Sequence, residues 1–187
     1  YISNDSSGKM GYALAKAASI LGAKVQLVST TKQLKVPYGV QVTYVESALE
    51  MHDAVTQLFP KTDIAVMVAA VSDYYVANRS NQKIKKQQNE SGLMLELLEN
   101  PDILKKLGHS KREGQVVIGF AAETTNVLEY AKAKLEKKKA DAIIANDVSN
   151  SRIGFNSDHH QVTLLTKDGN IVNLPENSKE ELALNIW

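Results

Sequence analysis

The chain has no cysteine among its 187 residues. That excludes a disulfide framework, a thiolate nucleophile and a Cys-based metal site, and it suits a cytosolic protein. Long apolar runs are missing too. None approaches the roughly 20 residues that cross a bilayer, and nothing reads as a signal peptide. Neither sign of charge is in excess: 22 Lys and Arg balance 21 Asp and Glu, for a net charge of +1. Such a chain is not built to coat nucleic acid or an anionic membrane, so any basic site must be local. There is no GxGxxG turn, Walker A loop or HExxH pair. The four histidines, His52, His109, His159 and His160, stand in no metal-ligand spacing and read as surface or core side chains. Internal repeats and low-complexity tracts are also lacking.

What is present is an apolar fraction of 43%, enough for one compact domain with a core. Met10, Leu14, Ala17, Ala18 and Leu21 recur at helical spacing and end at Gly22. Strands are expected at 24–30 and 40–45. Ser47 to Glu50 forms a capping box for a helix through Leu58. The nearly unbroken apolar run 63–70 predicts a strand buried on both faces, as in a parallel sheet. Residues 78–92 are polar and basic, and a short strand is expected within 93–98. Asn100-Pro101 reads as a cap and first-turn proline for a short helix stopping near Gly108. A strand at 115–120, an amphipathic helix at 126–139 and a strand at 141–145 follow. Segments 161–166 and 170–174 flank Lys167-Asp168-Gly169, a hairpin signal, and Ser178 caps a last helix. Strands alternating with helices give a three-layer, Rossmann-like α/β domain with a mostly parallel sheet and a C-terminal hairpin. In such sheets ligands bind beyond the carboxyl ends of the strands. That directs attention to 69–74, 119–124 and 145–149.

Ser6, Ser7 and Gly8 precede the first helix. Small residues at a helix N-terminus admit a phosphate; an ordinary capped helix start is the other reading. Lys83 lies in the basic run KIKK at 83–86, which suits a polyphosphate or is a solvated charge run. Asp73 follows a core strand and can meet a metal-bound phosphate or a nucleotide hydroxyl, or cap a turn. Phe120 can pack on a ring or fill the core. Lys134 and Lys138 share one helix face, where they suit the helix dipole.

In order along the chain stand YISN-x-SSGKMG at 1–11, AAVSDY at 69–74, KIKK at 83–86, NPDIL at 100–104, GFAAET at 119–124, ANDVS at 145–149 and GFNSD at 154–158. Together these segments resemble the phosphopantothenate–cysteine ligase family, and the bacterial stand-alone type in particular. The resemblance runs from Tyr1 to the SKEELA segment at 178–183. It implies a single ligase domain over 1–187 that lacks the family's N-terminal strand, with further residues expected beyond Trp187.

The implied reaction activates the carboxylate of 4′-phosphopantothenate as an acyl-nucleotidylate, releases pyrophosphate, and then forms an amide with cysteine. The nucleotide is CTP in typical bacterial members and ATP in animal ones. Mg²⁺ assists, and its protein ligands are unassigned. Nothing resembles a flavoprotein half, so no flavin is expected. The resemblance further implies a cytoplasmic homodimer that binds neither nucleic acid nor membrane. By matched position it puts Asn4 at the acyl carbonyl and Lys83 on the triphosphate. Ser6, Ser7 and Gly8 fall in the phosphate turn, and Ala70 at the acyl intermediate. Asp73, Asn100, Pro101, Asp102, Ile103, Phe120, Lys134 and Lys138 fall around the nucleotide. The family's usual AAVADYR reads AAVSDYY here, and its VSGP reads VSTT. Two other readings stand beside this one. A non-catalytic binding protein could keep the fold. A nicotinamide-dependent reductase would want a GxGxxG turn and a Tyr-x-x-x-Lys pair, and both are read as absent, with no lysine expected to serve Tyr74, Tyr75 or Tyr130.

Overall fold

A computed structural model describes residues 4, 6–80, 82–85, 92–123, 126–147 and 159–187. Residues 1–3, Asp5, Lys86, Thr124, 148–149 and 154–158 of the family-like segments lie outside the described residues, as do Asn81 and all of 86–91 in the basic stretch.

The elements follow the apolar periodicity. Helix α1 spans Lys9–Ile20 and leads to strands β1 (Val25–Ser29) and β2 (Val40–Tyr44), which pair in parallel. Helix α2, Ala48–Leu58, starts at Ser47, whose Oγ accepts from Glu50 N at 3.2 Å. Strands β3 (Ile64–Met67), β4 (Tyr74–Val76) and β5 (Leu97–Glu99) come next. They are followed by helix α3 (Ile103–Ser110), strand β6 (Val116–Glu123), helix α4 (Val127–Lys138) and strand β7 (Ala142–Asp147). The hairpin forms from β8 (His159–Thr166) and β9 (Ile171–Ser178). Its turn closes with Gly169 N donating to Thr166 O at 3.0 Å, Gly169 having φ 84°. Helix α5, Lys179–Ile186, is capped by Ser178 Oγ.

The main sheet has the order β3-β6-β7-β8-β9. Its β3–β6 and β6–β7 pairs are parallel, and its β7–β8 and β8–β9 pairs antiparallel. Side-chain alternation sends the two faces into separate cores. Val117, Ala121, Ile143, Ala145 and Leu165 pack with Met51, Leu107 and Leu135 from α2, α3 and α4. On the opposite face Ile144 and Val162 pack with Leu182 of α5, and Val66 and Val68 lie against Leu14 and Ala17 of α1. The expected three-layer α/β architecture with a C-terminal hairpin is therefore present.

Three local expectations need correction. The 63–70 run is not buried on both sides of a sheet interior: among the described residues β3 pairs only with β6, and Ile64 is 45% exposed. Helix α3 is capped by Asp102, whose Oδ1 accepts from Lys105 N at 2.9 Å, rather than by Asn100. A carboxylate two residues further on captures the helix N–H groups and releases Asn100 for other bonds. Helix α3 ends at Ser110, close to the expected stop, but Gly108 itself lies inside the helix, where a Cβ would sit 1.9 Å from Lys138 O. It is a close-approach glycine, not a terminator. The β4–β5 ribbon was unforeseen at 74–76, where the polar loop was expected to begin soon after the core strand.

Strands β1 and β3 belong to separate sheets. Both border one cleft, which Leu14 and Ala18 of α1 and Met51 and Val55 of α2 also line.

Candidate active site

The cleft has a volume of about 2460 Å³, runs along β1 and β3, and takes in Ser29, Met67, Ala122 and Asn146 at or near the carboxyl ends of β1, β3, β6 and β7. Three chain segments converge there.

The first precedes α1. Gly8 is the helix N-cap at φ 72°, a left-handed conformation that glycine adopts at no steric cost. Space demands glycine as well, since a Cβ would lie 2.8 Å from Thr31 Oγ1. Ser7 Oγ accepts from Lys9 N at 3.5 Å. Behind the turn Tyr12 donates its hydroxyl to Thr31 O at 2.7 Å. Burial pushes the Tyr12 phenol up, so it stays a neutral donor near pH 7. Ser6, Ser7, Gly8 and Asn4 all line the cleft.

The second segment is the loop after β3. Val71 N donates to Ala69 O at 3.0 Å, which turns the chain tightly at Ala70. Asn4 Nδ2 donates to Val71 O at 3.2 Å. Asn100 Nδ2 donates to Ser72 O at 2.9 Å, and Asn100 N to Asp73 O at 2.8 Å. Ala70 and Asn100 line the cleft, whereas Asp73 is exposed beside it.

The third segment is the end of β6. Phe120 lines the cleft while packing on the α1–α5 side of the sheet. Lys134 Nζ donates to Phe120 O at 2.9 Å, which brings an ammonium group to the cleft wall. Lys138 is turned elsewhere. It pairs with Asp102 and is only 16% exposed. Burial alone would push the Asp102 carboxyl up, but Lys138 and the Lys105 N–H outweigh it and hold that carboxyl below its usual range. Ile103 is a core residue at 4% exposure. Lys83 is exposed and does not line the cleft, although its neighbours Gln82 and Ile84 do.

The structure thus brings together Asn4, Ser6, Ser7, Gly8, Ala70, Asn100, Phe120 and Lys134. It leaves Asp73, Lys83, Pro101, Asp102, Ile103 and Lys138 outside the lining. Three buried polar residues to which the sequence reading gave no role also line it: Ser29, 8% exposed; Asn146, 8% exposed and paired with Ala122 across the sheet; and Lys179, 6% exposed. Asn146 was legible as a polar residue closing an apolar strand; Lys179 looked only like the first residue of a capped helix. Among the described residues no cluster of three or more His, Asp or Glu side chains could hold a metal ion. The Tyr-x-x-x-Lys spacing of a reductase does occur, at Tyr130–Lys134 and Tyr12–Lys16. Lys16, however, pairs with Glu180 at 2.9 Å and Lys134 is bonded to Phe120 O, so neither lysine bonds the tyrosine of its pair in these contacts.

Known proteins resemble this chain in sequence and in fold. The chain is 46% identical over 183 residues to the Coenzyme A biosynthesis bifunctional protein CoaBC of Vibrio cholerae, covering 98% of this chain and 46% of that protein. It is 43% identical over 187 residues to the CoaBC protein of Bacillus subtilis, covering 100% of this chain and 45% of that protein. The chain therefore spans about half the length of the curated relatives it matches. Among solved structures, the C-terminal domain of a Coenzyme A biosynthesis bifunctional protein CoaBC superposes with a TM-score of 0.80 at 42% identity, covering 98% of this chain and 81% of that one. A Cab2 mutant, H337A, in complex with phosphopantothenate-cysteine, superposes with a TM-score of 0.79 at 16% identity, covering 99% of this chain and 78% of that one; this likeness shows the fold alone. A sequence profile of the DNA/pantothenate metabolism flavoprotein C-terminal domain matches residues 1–187, and the chain belongs to that family.

Proposed function

We propose that this domain joins 4′-phosphopantothenate to cysteine in coenzyme A biosynthesis through an acyl-nucleotidylate. The observation that carries the reading is the meeting of the Gly8 turn, Asn4 and the Ala70 loop at one end of the sheet. A phosphate-accepting turn, a carboxamide donor and a closely approachable backbone are what an anionic acyl substrate needs. In the first step a carboxylate oxygen bonds to the α-phosphorus of the nucleotide and pyrophosphate leaves. In the second the cysteine amine bonds to the acyl carbon. The nucleoside monophosphate departs with the original carboxylate oxygen, and the amine gives up a proton.

Asn4 donates to the acyl oxygen, on which charge builds as the cysteine amine attacks in the second step. Ser6, Ser7 and Gly8 receive the substrate phosphate, and Ala70 meets the acyl group. Asn100, Phe120 and Lys134 border the nucleotide, with Asp73, Pro101, Asp102, Ile103 and Lys138 supporting that side. Lys83 neutralises the triphosphate from a segment just outside the cleft wall. Mg²⁺ fits as an ion held mainly by phosphate oxygens, because the described residues offer no carboxylate cage. CTP is the proposed nucleotide, as the CoaBC relatives are bacterial.

The size of the cleft supports two further parts of the reading. At about 2460 Å³ it exceeds the roughly 300–1,000 Å³ of an ordinary ligand pocket. The facing edges of β1 and β3, with α1 and α2 beside them, suit one more parallel strand. We assign that place to an extended segment outside residues 1–187. The β4–β5 ribbon exposes Tyr74, Leu97 and Leu98, and Met94 just before it is 96% exposed. A two-stranded ribbon is marginal alone, and a second copy of the chain is the proposed cover.

The test is product formation by the full-length polypeptide with phosphopantothenate, cysteine and either CTP or ATP. Phosphopantothenoylcysteine and pyrophosphate should appear together, faster with CTP. No product with either nucleotide would refute the ligase reading.

A further inference from the structure

The loop after β3 is held by an unusual arrangement of donors. Strands β4 and β5 pair antiparallel, with Tyr74 opposite Glu99. The ladder continues one step beyond them, where Asn100 N donates to Asp73 O at 2.8 Å. The next position, 72 opposite 101, is one of the alternate positions of an antiparallel ladder that exchange no backbone hydrogen bonds, and residue 101 is in any case proline. The carbonyl that would go unserved is Ser72 O. It is the side chain of Asn100 that serves it, at 2.9 Å. One residue further along the same loop, Val71 O is served by Asn4 Nδ2 at 3.2 Å. Three successive carbonyls are thus fixed in a row by two asparagines. The acceptor half of the Asn100 carboxamide, Oδ1, is buried and has no partner among the described residues. Its donors are therefore what hold it in place, since an unpaired buried acceptor is itself unfavourable.

We propose that Asn100 is a positioning residue for the reaction proposed above, acting through Val71 O on Asn4. A carboxamide bonded to Val71 O has its plane set by that carbonyl, and with it the direction in which it can donate to an acyl oxygen. The Val71 peptide is in turn set by the two residues that follow it, Ser72 and Asp73, both tied to Asn100. Small displacements at a reacting centre are expensive in rate. The inference rests on the role of Asn4 but makes a separate demand: Asn100 matters to turnover only while Asn4 is there to be oriented.

The test is a double-mutant cycle in the full-length polypeptide with Asn4→Ala, Asn100→Asp and the pair. Asn100→Asp keeps the shape but faces Ser72 O with an acceptor instead of a donor. It should lower kcat by roughly 10-fold or more, with KM for phosphopantothenate changed by less than about 3-fold. Hydrogen exchange of the amides at 71–76 should quicken while that of β6 and β7 is unchanged. In the Asn4→Ala background the same substitution should cost no more than about 2-fold in kcat. If Asn100→Asp does not fold, Asn100→Ser, which retains the backbone N–H and a short hydroxyl donor, takes its place under the same criteria. Effects that multiply in the double variant would overturn the proposal and leave a merely structural Asn100. So would a normal kcat in the Asn100 variant. A normal kcat for Asn4→Ala would instead overturn the role of Asn4 itself, and this inference with it.

Discussion

Asn4 sits where a loop gives way to the first helix, exposed and bonded to Val71 O. Removing its carboxamide should leave the fold intact, because a loop side chain of this kind carries little of the packing. Turnover should fall on the order of 100-fold, the usual loss for one oxyanion donor. Steady-state kinetics beside a thermal melt would show both; a melt shifted as far as the rate would count against a catalytic role. Lys83 makes a different prediction. As a cation acting on a triphosphate it should matter in the first half-reaction, where two anions meet. Lys83→Gln should slow pyrophosphate release by roughly 10-fold or more, while Lys85→Gln serves as the control. Equal damage from both would reduce the assignment to a diffuse basic patch. The residues the sequence shows most readily are those whose local pattern declares them: the Ser6-Ser7-Gly8 turn, Asn4 within its motif, and Phe120 at the end of a core strand. Asp102 and Lys138 were legible as polar residues near the nucleotide side, yet they bond to each other. That pairing, across 36 residues of chain, is a tertiary fact no local pattern contains.

Helix α3 shows how such facts decide an element. Its expected cap at Asn100 moved to Asp102 because a carboxylate at that position bonds both Lys105 N and the Lys138 ammonium. Its glycine reads as a stop signal in sequence but is a seat for the end of α4. Gly108→Ala therefore sets two effects against each other. Alanine is the better helix former by about 1 kcal/mol. A Cβ placed 1.9 Å from Lys138 O and 2.9 Å from Lys139 O forces the helices apart, a steric cost of about 3 kcal/mol that should prevail. The variant should unfold at lower urea concentration; a raised midpoint would contradict the packing described. By contrast the hairpin, the Ser47 cap and the Ser178 cap were readable because turn chemistry and capping act within four residues. Of the β4–β5 ribbon, a short strand near β5 was readable, but β4 and the pairing were hidden, because each strand has three residues and the two lie some twenty residues apart in sequence.

Across the whole molecule, the three-layer architecture was legible from alternation alone, and the division of the sheet into separate pieces was not. Strand patterns report which residues are apolar, not which edges are paired. At the other end of the sheet, Asp141 ties strands and loops together. It accepts from Val117 N at 2.9 Å and pairs with Lys111 at 2.7 Å and Lys167 at 2.9 Å. Burial alone would push its carboxyl up, but the two ammonium groups and the N–H outweigh this and hold it below the usual carboxylate range. A carboxyl lowered in the folded state contributes stability that is complete above its unfolded value, near pH 4, and is lost as pH falls through the folded value. Stability of the parent protein should thus decline on acidification below about pH 4. Asp141→Asn should be less stable at pH 7 by about 2 kcal/mol, because it leaves two lysines facing a neutral side chain. It should also lose part of that acid dependence. Urea unfolding at pH 7 and pH 3 measures both terms, and an unchanged difference between parent and variant would argue against the pairing.

The central claim is chemical: the carboxylate is activated by attack on the α-phosphorus at a site built from Asn4, the Gly8 turn and the Ala70 loop. Oxygen tracing tests it most directly. Phosphopantothenate labelled with ¹⁸O in its carboxylate is turned over with cysteine and CTP by the full-length polypeptide, and the products are weighed by mass spectrometry. An acyl-nucleotidylate requires one labelled oxygen in the nucleoside monophosphate and none in pyrophosphate. Label in inorganic phosphate, with nucleoside diphosphate as the other product, would mean attack on the γ-phosphorus and would contradict the account.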